Sequence, residues 1–302
     1  MNKEIPMLHF MRLFFGYILV FSIAYAAESS TTKPLLQSNN PRPKEAFLAY
    51  NGTTYIARSN ETSPTPLQLA NKKIPWIPHP EDSSQKIALV PISYHTKPGT
   101  LSLSPALTIT IKPGNYKKEQ ITLLDSSKLK PDTKNTKRIA KERDEAVAIY
   151  ATFNKKRYWN GSFAYPVGDI VTSPFGTARV FNNEVKSFHS GTDFRAPTGT
   201  PIYATNHGVV VLAKERFLAG NSVIIDHGEG IYSTYFHCSK ILVQVGQVVQ
   251  KGEKIALSGA TGRVSGAHLH FGIVVYGTLV DPLDFITAVN DLLLNDASST
   301  RF

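Results

Sequence analysis

The sequence predicts a mainly β protein: a small N-terminal β-sandwich, a linking helix and a C-terminal domain built on an antiparallel sheet. Three observations support this fold class. Runs of β-branched and aromatic residues, separated by turns with Gly or Pro, fill residues 46–111 and return from about residue 163 to 276. Between these regions, residues 132–153 carry apolar side chains at helical spacing. Because no helix intervenes between the later runs, they favour an antiparallel sheet over βαβ units.

The N-terminus has the layout of a secretory signal peptide. Lys3 and Arg12 precede an apolar run over residues 13–21, and the small residues Ala24-Tyr25-Ala26-Ala27 follow. The run is shorter than the ~20 residues of a membrane anchor. We expect residues 1–27 to be cleaved, with an uncleaved anchor as the alternative, and the mature chain to be exported without stable membrane insertion. Residues 28–45, rich in Ser, Thr, Asn and Pro, are predicted to be a linker.

Residues 46–125 are predicted to form the N-terminal β-domain. Runs at 46–50 and 53–57 flank Asn51-Gly52, a pair that favours a hairpin with a type I′ turn. Further strands are expected at 86–94, 101–103 and 107–111.

Residues 126–160 are predicted to contain the linking helix, with Asp132 or Thr133 as its N-cap. We expect its charged face to meet solvent and assign it no chemistry. Residues 161–302 form the third predicted unit, with strands at 209–212, 222–225, 231–237 and 255–257 and a short closing helix at 284–294.

Composition narrows the class of partner. The chain of 302 residues has 33 Lys and Arg against 23 Asp and Glu, a formal charge of +10. The basic residues are scattered and no nucleic-acid-binding signature is present, which argues against a nucleic-acid partner. An acidic polymer or an anionic surface fits this charge better. The single cysteine, Cys238, excludes an internal disulfide.

Four of the nine histidines lie in three short motifs of the C-terminal half: His189-Ser190-Gly191-Thr192-Asp193, Tyr235-Phe236-His237 and His268-Leu269-His270. On a strand, side chains two apart share a face, so His268 and His270 project together. His189 and Asp193, four apart in an extended segment, would also share a side. Two histidines and one aspartate supply the three ligands that a catalytic zinc keeps while its fourth position stays open. Each motif alone is weak, but together they indicate a zinc site.

These motifs resemble those of the lysostaphin/LytM-type zinc endopeptidases of bacterial cell walls. The resemblance covers residues 173–283, and its further stretches are Gly199-Thr200-Pro201-Ile202-Tyr203-Ala204, Val223-Ile224-Ile225-Asp226-His227-Gly228, Val245-Gly246-Gln247-Val248-Val249-Gln250-Lys251-Gly252 and Gly259-Ala260-Thr261-Gly262-Arg263. The N-terminal half is similar, less specifically, to the small β-domains that precede this module in Gram-negative relatives.

The resemblance implies that His189, Asp193 and His270 ligate one zinc ion, and that His237 and His268 are unligated catalytic histidines. It also implies peptidoglycan peptide stems or cross-bridges as substrate, with endopeptidase or carboxypeptidase activity. Our candidate for the general base is His268, because it shares a strand with the ligand His270. The other histidine would then hydrogen-bond to the developing oxyanion.

Several alternatives are weighed against this interpretation. Where the family usually has Leu, the chain has Cys238, which suggests a thiol protease or a fourth ligand; strand alternation should turn it away from His237, as a small buried apolar residue. The remaining mature-chain histidines are not expected to bind metal; they are His79, His95, His207 and His227. The leading functional alternative is a non-catalytic LytM-like module that binds or activates another wall hydrolase, and a zinc-binding sensor or adhesin ranks lower.

The N-terminal half has no cluster of titratable residues, so we expect it to regulate or position rather than catalyse. It would either lie across the cleft and keep the enzyme latent, or dock onto the wall or a regulatory protein partner. If it covers the cleft, a shortened chain beginning near Tyr158 should cleave at least as well as the mature chain.

Overall fold

The computed structural model describes residues 38, 47–120, 133–181 and 184–299. The predicted signal peptide at 1–27 and nearly all of the predicted linker at 28–45 lie outside these residues, so both stay predictions. Among the described residues, no helix combines the length and apolar character needed to cross a membrane.

The N-terminal region forms nine short strands: β1 Leu48–Tyr50, β2 Thr54–Ser59, β3 Leu67–Leu69, β4 Lys72–Ile74, β5 Ile77–Pro78, β6 Lys86–Pro91, β7 Gly99–Ser104, β8 Leu107–Lys112 and β9 Lys118–Gln120. The helix α1 Thr133–Ala151 follows. The C-terminal region contains β10 Val171–Ser173, β11 Ala178–Phe181, β12 Glu184–Phe188, β13 Thr192–Arg195, β14 Pro201–Tyr203, β15 Gly208–Arg216, β16 Gly220–Gly228, β17 Ile231–Cys238, β18 Lys240–Ile241, β19 Val248–Val249, β20 Lys254–Leu257, β21 His268–Val275, β22 Thr278–Val280 and the helix α2 Pro282–Ser299.

The mainly β class, the two β-rich regions and the helix between them are confirmed. The hairpin expected at Asn51-Gly52 is wrong: β1 pairs in parallel with β8, whereas β2 pairs with β6 in another sheet. Gly52 has a positive φ of 85° but Asn51 does not, so the turn is not type I′. The Asn51 side chain instead accepts from Gly114 N and donates to Tyr94 O, which directs the two strands apart.

Strand β6 lies between two hydrophobic cores and contributes side chains to both. Its residues alternate between them: Ile87 and Leu89 face the core of the C-terminal sheet, and Ala88 and Val90 face the N-terminal core. The continuous apolar run of β6 is what burial on both faces requires. The N-terminal β-region therefore contributes to the packing of the C-terminal one, and the domain boundaries proposed from the sequence stay predictions.

The C-terminal region is centred on an antiparallel sheet with strand order β10-β13-β21-β17-β16-β15-β19, and β22 pairs with the far end of β21. Alternation along the strands gives this sheet two faces. One face packs Tyr235, Leu269 and Phe271 into the main core. The other face carries His270 and, further along, a smaller cluster that includes Tyr232 and Val274.

Both predicted helices are present. α2 begins after Asp281, whose carboxylate accepts from the backbone of Leu283 and Asp284, with Pro282 at the first helical position. α1 packs Ile149 and Tyr150 onto the smaller cluster. The pairing of β9 with β11, which is parallel, was not predicted.

Candidate active site and metal centre

Three adjacent strands, β13, β21 and β17, carry four of the five predicted site residues. In the pairing of β13 with β21, Asp193 lies opposite His270, and in the pairing of β21 with β17, Phe236 lies opposite His270. Side chains opposite each other on one face have Cβ atoms ~5 Å apart, so the aspartate and the histidine must meet. His268 is two residues from His270 and shares its face, as the sequence predicts.

His189, Asp193 and His270 bring three ligand atoms together. His189 Nε2 lies 3.0 Å from Asp193 Oδ1 and 3.0 Å from His270 Nδ1, and His270 Nδ1 lies 2.9 Å from Asp193 Oδ1. These spacings approach the edges of a tetrahedron around an ion bound at ~2.0–2.1 Å. The described residues contain this one group of three with metal-ligand geometry.

The support around the ligands fits a metal as well. His189 Nδ1 donates to Pro174 O at 3.0 Å, which leaves the lone pair on Nε2 facing the other ligands. Burial works against ionisation of Asp193, but hydrogen bonds from His189 and His270, donated when the ring nitrogens that face the carboxylate carry a proton instead of a metal, outweigh burial and hold the pKa of Asp193 well below its ordinary value. The carboxylate is therefore anionic at neutral pH, as a ligand must be.

Gly191 makes room for the third ligand. A Cβ at this position would lie 2.6 Å from His270 Nε2 and 2.5 Å from Phe271 O. The glycine between His189 and Asp193 is thus required because any side chain would overlap the imidazole of His270.

His237 and His268 lie beside the three ligands. Their ring centroids are 4.9 Å apart, and His268 Nε2 lies 3.7 Å from Asp193 Oδ1. Each Nδ1 donates to a backbone carbonyl at 2.9 Å, that of Thr261 for His237 and that of Gly266 for His268. In the neutral form both rings therefore present a lone pair at Nε2, the state that a general base needs.

His237 has an unusual backbone. Its φ is +65°, a left-handed conformation that costs a non-glycine residue on the order of 1 kcal/mol or more and tends to occur at functional sites. The strand is held in this conformation by the hydrogen bond from His237 N to Ala219 O, 2.8 Å long. Burial lowers the pKa of His237 to about 4, so its imidazole is neutral at pH 7.

Cys238 has no place in this chemistry. Its side chain is fully buried in the main core, on the side away from His237 as expected, and burial raises the pKa of the thiol to about 12. The thiolate that a cysteine nucleophile or ligand needs is therefore disfavoured.

The other histidines occupy different places. His227 is buried, with Nδ1 donating to His207 O and Nε2 bonded to Ser233 Oγ. His79 Nδ1 accepts from the backbone of Glu81 and Asp82.

The structure thus brings together all five predicted site residues, although their individual roles stay predictions. Sequence reasoning missed the position of α1, which was expected only to link two regions. α1 lies on the face of the sheet that carries His270, and a cavity of about 390 Å³ separates Ala146 and Tyr150 of the helix from His270 and Phe236. No sequence signal pointed to this placement, because the contacts join residues far apart in the chain.

Comparison with known proteins identifies the domain that holds the site. The sequence pattern of Peptidase family M23 matches residues 187–282. Peptidoglycan DD-endopeptidase ShyA of Vibrio cholerae is 50% identical over 95 residues, which are 32% of this chain and 22% of that protein. DD-carboxypeptidase/endopeptidase Mpg of Neisseria meningitidis serogroup B is 33% identical over 129 residues, 43% of this chain and 30% of that protein. The matched segments therefore span less than a third of either relative.

One solved structure is similar over most of the chain. A putative peptidase M23 from Pseudomonas aeruginosa aligns with a TM-score of 0.64 and 29% identity, covering 84% of this chain and 99% of that one. The likeness includes much of the N-terminal β-region as well as the sheet that bears the histidines. Together with the matched pattern, it confirms the family resemblance of the motifs: residues 187–282 are a Peptidase family M23 domain.

Proposed function

We propose that the chain is a zinc-dependent peptidoglycan hydrolase that cleaves peptide stems or D,D cross-links of the bacterial wall, as an endopeptidase, a carboxypeptidase or both. The observation that carries the proposal is the convergence of His189, Asp193 and His270, with His237 and His268 beside them, inside an M23 domain. The names of the relatives, DD-endopeptidase and DD-carboxypeptidase/endopeptidase, support the substrate class. The alternative of a non-catalytic module is disfavoured because none of the five residues is missing.

Zinc is the metal that this donor set suits. Two imidazoles and one carboxylate, with atoms 2.9–3.0 Å apart, match the ligand type and number of a catalytic zinc site. When bound, zinc acidifies a coordinated water and polarises the scissile carbonyl as a Lewis acid.

His237 and His268, the two histidines that are not ligands, have different roles in the reaction. We keep His268 as the base because its Nε2 lies next to the ligand group, 3.7 Å from Asp193 Oδ1, while Gly266 O fixes its Nδ1–H. Its Nε2 takes a proton from the water that attacks the scissile carbonyl and passes it to the leaving amine. His237 can donate from Nε2 only after it takes up a second ring proton from solvent and becomes an imidazolium, a state that burial opposes. The negative charge that develops on the substrate oxygen favours this state, so His237 stabilises the oxyanion selectively.

We further propose that the chain is exported to the periplasm, on the strength of the signal-peptide layout of residues 1–27. Its biological role would be remodelling of the wall, and control of cell shape is one outcome of such remodelling. The basic charge of +10 suits an acidic polymer such as the wall.

We also propose that the N-terminal part keeps the enzyme partly latent. The placement of α1 beside His270 supports this idea, since a peptide in the cavity between them would compete with the helix.

The proposal is tested by digesting purified sacculi with the mature protein and identifying the released muropeptides. We expect fewer cross-linked stems or shortened stems with the zinc-loaded protein, and no change with the His268→Ala variant. Intact muropeptides after digestion with a zinc-loaded, folded protein would refute the hydrolase assignment and favour the binding-module alternative.

A further inference from the structure

The contact between α1 and the sheet has an apolar part, formed by Ile149 and Tyr150, and a polar part nearer the start of the helix. Of the nineteen residues of α1, Ala146 is the buried one, and Val147 is 59% exposed. A helix that served only to cover the sheet would bury a wider apolar stripe. The polar part includes ion pairs to the end of β15: Lys214 Nζ lies 2.6 Å from Glu145 Oε1, and Arg138 pairs with Glu215.

Glu142 of α1 makes the most specific of these contacts. Its carboxylate accepts from Phe217 N at 2.9 Å, and its main-chain oxygen accepts from Arg216 Nη2 at 2.6 Å. Phe217 follows β15 directly, so its N–H and the Arg216 guanidinium are adjacent donors. A backbone N–H beside a guanidinium is an arrangement that binds carboxylates.

Arg216 is incompletely satisfied in this arrangement. It is only 8% exposed, and its Nε has no hydrogen-bond partner among the described residues. A buried donor without a partner is destabilising, so its presence calls for an explanation. Arg216 lines the same cavity of about 390 Å³ as His270 and Phe236.

The loop that carries these donors is connected to the catalytic residues. Ala219 O accepts from His237 N at 2.8 Å, and Leu218 O accepts from Arg263 N at 2.9 Å. The positions of the donors relative to His237 are therefore fixed by the same hydrogen bonds that hold the strained backbone of that histidine.

We infer that Phe217 N–H and the Arg216 guanidinium form a subsite for a carboxylate of the peptide substrate, and that Glu142 fills this subsite while α1 is docked. The inference rests on the proposed function and deepens it, because it specifies a substrate peptide with a free carboxylate at a set distance from the cleaved bond. When substrate displaces Glu142, the carboxylate of the substrate accepts the hydrogen bond from Phe217 N. The same carboxylate is an anionic acceptor for Arg216 Nε, which otherwise has no partner among the described residues. The wall stem peptide, which bears free carboxylates, is a ligand of this chemistry.

The test measures binding rather than cleavage, on the full mature chain loaded with zinc. The probes are two uncleavable, product-type stem peptides that differ in one carboxylate, free in the first and amidated in the second. We expect the free acid to bind about tenfold tighter or more, as for a charge-assisted hydrogen bond. In Arg216→Gln this ratio should fall close to one with the zinc content unchanged.

Two further variants separate the subsite from a general loosening of α1. Glu142→Gln removes the competing charge, so it should bind the free acid several-fold tighter than the wild type does while its affinity for the amide changes less. Lys214→Gln is the matched control, since it breaks another contact of α1 without touching the subsite, and it should affect both peptides equally. An unchanged acid-to-amide ratio in Arg216→Gln would overturn the inference.

If Arg216→Gln does not fold, the subsite is tested with the Glu142→Gln variant. Equal affinities of Glu142→Gln and Lys214→Gln for the free acid would also overturn the inference. These binding measurements are independent of the sacculus digestion. Absence of cleavage in the digestion refutes the hydrolase proposal, whereas equal binding of the free acid and the amide by the wild type refutes the subsite.

Discussion

Replacing Gly191 by Ala should damage the metal centre without removing a ligand. The new Cβ would lie 2.6 Å from His270 Nε2, about 0.8 Å short of the closest ordinary contact of 3.4 Å. Metal–ligand distances tolerate only about ±0.2 Å, so an imidazole displaced by several times that amount cannot keep its place in the site. We expect zinc affinity to fall by about 10–100-fold or more, the loss typical of a disturbed ligand orientation.

The same Cβ would also lie 2.5 Å from Phe271 O, a backbone atom in the centre of the sheet. Overpacking of this kind costs about 1–3 kcal/mol, so the zinc-free variant should also unfold at lower denaturant concentration. Zinc affinity is measured by competition with a chelating dye, and stability by urea unfolding of the zinc-free proteins. The matched control is Gly168→Ala, where an added Cβ meets nothing within 4 Å. Wild-type zinc affinity in Gly191→Ala would refute the steric argument.

Three further predictions follow from the same geometry. His237→Ala and His268→Ala should each keep a full complement of zinc yet lose most turnover in a muropeptide assay, because these residues act on protons; loss of zinc in either would show that it is a ligand. Burial lowers the folded-state pKa of His227 from 6.5 to about 4, so the unfolded chain binds more protons between these values and stability should fall as the pH drops through that window. The loss is about 3 kcal/mol at most, and urea unfolding at pH 7 and pH 4.5 should show a smaller difference in His227→Gln; an equal difference would contradict the assignment. A shortened chain beginning at Tyr158 should keep its zinc and match or exceed the kcat/KM of the mature chain at low temperature; a folded, zinc-bound and much slower product would refute latency.

The shortened chain also has a cost that the sequence did not reveal. Ile87 and Leu89 of β6 belong to the main core, and each buried side chain of this size contributes about 1.5–3 kcal/mol. Removing them should lower the melting temperature whatever happens to activity. For this reason the comparison of rates is made at low temperature, with the folded fraction measured for both chains.

Much of the site could be predicted because it depends on local periodicity. His268 and His270 share a face since strand side chains alternate. Cys238 points away from His237 as expected, but Tyr235, three residues earlier, lies in the same core, so the left-handed backbone of His237 rather than regular alternation turns Cys238 inward. The opposition of Asp193 and His270 follows once β13 and β21 are neighbours. Spacing along the chain does not specify which strands pair. The expectation that Asp193 and His270 lie together rested on the family resemblance, which implies that both bind one zinc ion.

The features that sequence reasoning missed depend on contacts between distant residues. The course of the chain after Asn51 is set by hydrogen bonds to Gly114 N and Tyr94 O, which no local turn preference encodes. The docking of α1 depends on Glu142 meeting Phe217, and the left-handed backbone of His237 on a bond to Ala219 O. The burial of β6 on both faces was not predicted either, although its uninterrupted apolar run is compatible with it.

The central claim is that His189, Asp193 and His270 hold one zinc ion that activity requires. It is tested most directly by measuring the zinc content of the purified wild type and of His270→Ala by mass spectrometry of the metal. We predict one zinc per chain in the wild type and almost none in the variant. A wild type that has no zinc and no affinity for it, or a His270→Ala protein with one zinc per chain, would contradict the claim.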